Sequence, residues 1–265
     1  ANLRPVASRT GRWSMSAHIV VTSRHLSATF DGLVQFESGM WLNGNLALRA
    51  ANLSALSQWL GVPLPTSVAA GSFSAKGGAV WRDGLLTFEQ VDAELDGQTA
   101  HGALTIGLTG PRPFIDGALA FNRLDVAAAS RWLGLASSVG GANDITASGL
   151  ATGPARWPVF DAIDADLRLS ATQLIGLDPR SGRLAASVTA KDGRLVIDIA
   201  DMEFADGAGA GQITIDQQGK TPFYHLRGSV VHADAATVLA FAHLPALAVD
   251  EAIVEHLPRP QLHQQ

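Results

Sequence analysis

At 265 residues the chain is long enough for one large domain or two ordinary ones, with a sizeable core in either case. Its 47% hydrophobic and 16% charged content, with a mean hydropathy of +0.16, exclude a disordered polymer. A net charge of -5 without any Lys or Arg run excludes a basic nucleic-acid footprint, and the absence of cysteine removes disulfides, thiolate metal sites and cysteine nucleophiles.

The opening stretch, ANLRPVASRTGRWSMSAH, has neither a signal-peptide core nor a membrane span, and no later stretch approaches about 18 uninterrupted apolar residues. With no initiator Met the chain is expected to be a fragment or a processed form. Residues 1–44 read as upstream sheet strands and part of a repeat, and Asn45 to Gly61 as a partial copy of a pattern that becomes complete later. That copy ends in NLSALSQWLG, a short helix in which Asn52 caps the first turn and Gly61 releases the chain. DVAAASRWLG from Asp125 and DAATVLAFAH from Asp234 read as two further helices with Asp caps, the first of them released at Gly134. Trp59 and Trp132 are read as plugs at the sheet edge rather than as lipid-facing anchors.

Between the helices the dominant signal is strict alternation. Leu184, Ala186 and Val188, then Leu195, Ile197 and Ile199 beyond Asp192-Gly193, predict a hairpin with one dry face. Leu167 and Leu169, and Ile213 and Ile215, alternate in the same way. Asp-Gly pairs at 31–32, 83–84, 96–97, 116–117, 192–193 and 206–207 are expected to form primed hairpin turns in an antiparallel meander. The run from Asp83 to Phe121 and beyond repeats from Asp192 with an offset of 109 residues, so two strand-rich units each end in a short helix.

The same repeat disposes of several decoys. ADGAGAGQITID, from Ala205 to Asp216, looks like a phosphate cradle, but a strand and not a helix follows it, so it is read as a turn leading into a strand. In QQGKTP the leading glycine of a phosphate loop is replaced by Thr214, and Pro222 forbids a helix interior, which leaves a strand connection. His18 and His25, His225 and His232, and His256 and His263 are each seven apart, on opposite strand faces, so no metal site is assigned. Asp164 and Asp166 share a face with Arg168 as a solvated edge, while Asp198 and Asp201 carry no accompanying motif for acid–base chemistry. No catalytic serine signature is present, and no enzyme activity is expected.

DADLRLSATQLIGLDPRSGRLAASVTAKDGRLVIDIADMEFADGAGAGQITID, residues 164 to 216, and GALAFNRLDVAAASRWLG, residues 117 to 134, resemble the carboxyl-terminal region of the AsmA family of Gram-negative envelope proteins, relatives of TamB-like proteins. The resemblance extends from about Leu46 to His243 and is carried by the order of strands and turns more than by single residues; residues 1–265 do not include the family's usual amino-terminal membrane helix. It divides the chain into residues 1–44, an AsmA-like region over 45–256 with units starting near 83 and 192, and a flexible tail over 257–265. It implies a mainly β fold, a repetitive antiparallel sheet curled into an open, taco-like groove with a few short helices. It also implies a non-enzymatic module of the periplasm, tied to the inner membrane through an upstream anchor, that binds or conducts phospholipid acyl chains between the inner and outer membranes without any cofactor. The alternative is a structural or interaction module that assists outer-membrane protein assembly or regulates protein targeting to the membrane, without lipid transport. Taking the more apolar parity as the groove face selects Leu86, Phe88, Leu104, Ile106, Leu119 and Phe121 in the first unit. In the second it selects Leu184, Val188, Leu195, Ile197, Ile199, Ile213 and Ile215.

Overall fold

The computed structural model describes residues 2–6, 14–36, 39–60, 71–132, 163–176, 181–204, 206–219 and 223–232. Four strands come first: β1 (Asn2–Val6), β2 (Ser14–Thr22), β3 (Ser27–Phe36) and β4 (Met40–Ala50). Helix α1 (Leu53–Leu60) then leads to β5 (Phe73–Arg82), β6 (Leu85–Leu95), β7 (Gln98–Gly107) and β8 (Phe114–Asp125). After α2 (Val126–Trp132) come β9 (Asp164–Ile175), β10 (Leu184–Lys191), β11 (Arg194–Phe204), β12 (Gly207–Asp216) and β13 (Phe223–Val231).

Among the described residues all thirteen strands form one sheet in chain order, with β1 and β13 as its two edges, which do not pair with each other. The fold is mainly β, curled and open, with few helices. The 109-residue offset is visible in the element bounds: β6 and β7 start at Leu85 and Gln98, β11 and β12 at Arg194 and Gly207, and β8 and β13 at Phe114 and Phe223. Within each unit the pairing is antiparallel, as the alternation predicts. One junction departs from the meander: β8 and β9 run parallel, Gly117 opposite Leu167 and Phe121 opposite Ala171. A parallel pair needs a crossover from one end of the sheet to the other, and α2 begins it.

Strands β5 and β6 turn at Asp83-Gly84, β6 and β7 at Asp96-Gly97, and β10 and β11 at Asp192-Gly193. Both residues of each turn have positive φ, near +50° for Asp and between +75° and +80° for Gly, the conformation that two-residue hairpins of right-handed twist require. The other Asp-Gly pairs behave differently. Asp31-Gly32 lies inside β3 and Asp116-Gly117 inside β8, paired across to Asn45-Gly44 and to Thr105-Leu104. The turn expected at Asp206-Gly207 sits one residue earlier: Asp206 has φ +63°, and Gly207 already pairs with Phe204 as the first residue of β12. The glycine run is therefore strand and not loop.

Those misplaced glycines have a common cause. Gly32, Gly44, Gly77, Gly102 and Gly117 all lie on the inner face, and a Cβ on any of them would overlap a carbonyl oxygen of the adjacent strand, from Asn43, Asp31, Gln90, Ala118 and Ala103 in turn. Gly211 and Gly228 face each other in the same way between β12 and β13. The glycines form a line across the strands along which the backbones close up and the glycine positions themselves leave no room for a Cβ, while β6 places Val91 between Gly77 and Gly102. Bulges reinforce it, with Glu89 skipped between β6 and β5 and Ala200 skipped between β11 and β10. Bulges bend and twist a strand, so the sheet is creased across its strands and curls about that crease.

Helix α1 is capped as expected, with Asn52 Oδ1 accepting from Ala55 N at 3.0 Å, and α2 by Asp125 Oδ1 accepting from Ala127 N and Ala128 N at 2.8 and 3.1 Å. Trp59 is not a plug: it is exposed, and Leu53, Ala55 and Leu56 supply the half-buried side of α1. Trp132's side chain, the helix expected at Asp234, both releasing glycines Gly61 and Gly134, and the tail from Leu257 lie outside the described residues.

Candidate functional site

Alternation gives the sheet two faces of different chemistry. Inward-pointing residues form four buried apolar clusters. One is Ala17, Phe30 and Val34; a second is Ala75, Ala79, Phe88, Val91 and Leu104. A third is Ala100, Phe121, Leu124, Ala171 and Leu174, and the fourth Val188, Ala190, Leu195 and Ile215. Half-buried leucines join them: Leu46 packs against the first two, Leu119 against the second and third, Leu167 against the second and fourth, and Leu169 against the third and fourth. The result is one unbroken apolar lining from β2 to β12. At about 4.8 Å per strand it runs roughly 48 Å across the strands. Phe88 and Leu195, one in each unit, are its most buried members at 1% and 0% exposure.

Of the residues singled out from the sequence, Leu86, Phe88, Leu104, Ile106, Leu119, Phe121, Leu184, Val188, Leu195, Ile197, Ile213 and Ile215 all lie in or against these clusters. Ile199 is half-buried beside the β11 bulge and belongs to none of the four. Leu167 and Leu169, read from the sequence as the dry face of a strand but not selected for the lining, connect the clusters together with Leu46, and Val91, Ala93, Met202 and Phe204, also not selected, lie beyond the bulges. A signal for the last four exists in the chain. Apolar residues fall on even positions at Leu86 and Phe88 and on odd ones at Val91 and Ala93, and on odd ones at Leu195 to Ile199 and even ones at Met202 and Phe204. Each change of parity marks the inserted bulge residue.

The outer face is polar and internally paired. His18 pairs with Asp31 across β2 and β3. Asp92 gathers Lys76 Nζ at 3.4 Å and His101 Nδ1 at 2.6 Å from the strands on either side. The hydrogen bond from His101, with help from Lys76 and against a smaller desolvation effect, holds the Asp92 carboxyl below its ordinary range. Arg183 holds Asp201 at 2.9 Å, and Gln212 Nε2 donates to Asp198 Oδ2 at 3.2 Å, so the two carboxylates Asp198 and Asp201 serve separate partners. At the turn rim Arg112, in the β7–β8 connection, reaches Asp164 and the hairpin turn residue Asp192, tying the two units together. Two depressions of about 310 and 230 Å³ lie over this surface, one by Asp31, Asn45, Lys76 and Asp92 and the other by His101, Arg168 and Ser170. They are gaps between paired polar side chains; the extended apolar surface is on the opposite face.

What the inner face can do chemically follows from its composition. It is lined by hydrocarbon, and Leu, Val, Ile, Phe and Ala offer no group to move a proton or attack a bond. Each methylene laid on such a surface is worth about 0.8 kcal/mol, with little dependence on position along it. The sequence matches no protein-family model, no curated protein and no solved structure.

Proposed function

We propose that this protein is a non-enzymatic envelope module whose apolar trough takes up phospholipid acyl chains and lets them move along it between the inner and outer membranes, as the resemblance to the AsmA family implies. One observation carries the reading: a continuous hydrocarbon lining on the inner face of a sheet that, among the described residues, does not close. A lining of roughly 48 Å exceeds the hydrocarbon thickness of a bilayer, about 30 Å, and is about three times the reach of one leaflet's acyl chains. Several chains fit end to end, held by area rather than by specific contacts, so a step from one position to the next costs little. The polar outer face suits an aqueous compartment such as the periplasm.

The test is native mass spectrometry of protein produced with periplasmic routing and purified gently, with lipid extraction of the same sample. Phospholipid in defined stoichiometry is expected, and it is expected to be lost from Ile197→Asp and Ile213→Asp, whose side chains face each other between β11 and β12. Lipid-free wild-type protein that is fully folded would overturn the reading, as would unchanged lipid in both folded variants.

A further inference from the structure

Strand β13 is the most exposed of strands β2–β13. All nine of its residues are exposed, including Phe223 and Leu226 at 62% each, with Tyr224, Val230 and Val231. It pairs with β12 over its whole length without a bulge, contains no proline, and has Arg227 as its only formally charged side chain. Sheet edges in soluble proteins are ordinarily shortened, bulged or charged against further pairing, and this one is long and regular, with Tyr224, Leu226 and Val230 on its inward parity and a single charge, Arg227, on the other.

The internal repeat says what belongs there. In the first unit the strand equivalent to β13 is β8, and its outer edge is covered by β9 in parallel register. Transferring the β8–β9 register puts Leu226 where Gly117 meets Leu167, Val230 where Phe121 meets Ala171, and Arg227 where Ala118 meets Arg168. We propose that the outer edge of β13 accepts an extended segment of a partner polypeptide, running parallel to it, with apolar residues facing Tyr224, Leu226 and Val230 and an acidic residue opposite Arg227.

A second copy of this chain is a poorer occupant. Its other edge strand, β1, is only five residues long and contains Pro5, which lacks a donor, and a centred β13–β13 pair would set Arg227 against itself. The inference does not depend on the lipid reading, because an edge can accept a strand whether or not the trough holds hydrocarbon.

Because the chain has no cysteine, introduced thiols report register directly. The probes are synthetic twelve-residue peptides of the β9 sequence, Asp164–Ile175, with Arg168→Glu and either Leu167→Cys or Ala171→Cys. Each is mixed with full-length Leu226→Cys or Val230→Cys protein, both substitutions being at exposed positions, with folding checked by circular dichroism. The parallel combinations, 226 with 167 and 230 with 171, are expected to form disulfides about tenfold faster than the two crossed ones, the preference that several aligned cross-strand pairs supply. Peptides retaining Arg168 are expected to react more slowly. Equal rates in all four combinations, faster crossed combinations, or protein-to-protein disulfides outpacing peptide capture would each overturn the proposal.

Discussion

Gly77 and Gly78 are neighbours in β5 with opposite tolerances. Gly77 points inward at the crease, where a Cβ would overlap the Gln90 carbonyl, whereas a Cβ on Gly78 meets nothing within 4 Å. Gly77→Ala is expected to cost about 1–3 kcal/mol through forced backbone displacement. Gly78→Ala is expected to be neutral or to stabilise by up to about 1 kcal/mol, because the unfolded chain loses freedom and the folded one loses nothing. Urea midpoints of the two variants test the pair; equal midpoints would remove the steric account of the crease. The Asp-Gly pairs show what a residue-level reading resolves. At Asp83, Asp96 and Asp192 the dipeptide makes the expected positive-φ turns, but at Asp31 and Asp116 the same two letters continue a strand. The glycine there is required by the approach of the next strand, and that approach is a tertiary fact which the dipeptide does not encode.

At the scale of the element, the apolar alternation was legible and placed all but one of the selected side chains in the lining, because a period of two leaves only two faces to choose between. The bulges were legible in principle. Without Glu89, residues Phe88, Gln90 and Val91 would alternate inward, outward, inward without a break, and removal of Ala200 does the same for Ile199, Asp201 and Met202. Deleting both residues should therefore preserve every inward side chain while removing the local bend. The double deletion is expected to keep its strand signal by circular dichroism, expand in small-angle scattering and bind less lipid. Loss of the strand signal would show instead that the bulges are needed for pairing itself. The parallel β8–β9 junction was not legible, because strand direction depends on where the crossover re-enters the sheet, and local pattern is the same for either direction.

Across the whole molecule, each strand rests on its neighbours in a sequential sheet, so stability is a chain of nearest-neighbour terms. Amide hydrogen exchange is expected to be slowest in the middle of the sheet, at β6 and β7, whose inward residues Phe88, Val91 and Leu104 share a buried cluster, and fastest in β13. Uniform protection from β6 to β13 would contradict that gradient. The parallel junction governs what such a sheet can become. Strand β9 is a fifth strand added to the four of β5–β8, and in a purely antiparallel order an odd number of strands would turn the next unit upside down. Because β9 runs the same way as β8, β10 runs the same way as β5, and the two units are related by translation rather than by inversion. Hairpin turns at Asp83 and Asp192 therefore stand on one rim, while α1 and α2 both leave from the other. The molecule has a head side and a foot side that survive the addition of any whole unit, so its length can change by duplication while its polarity stays fixed.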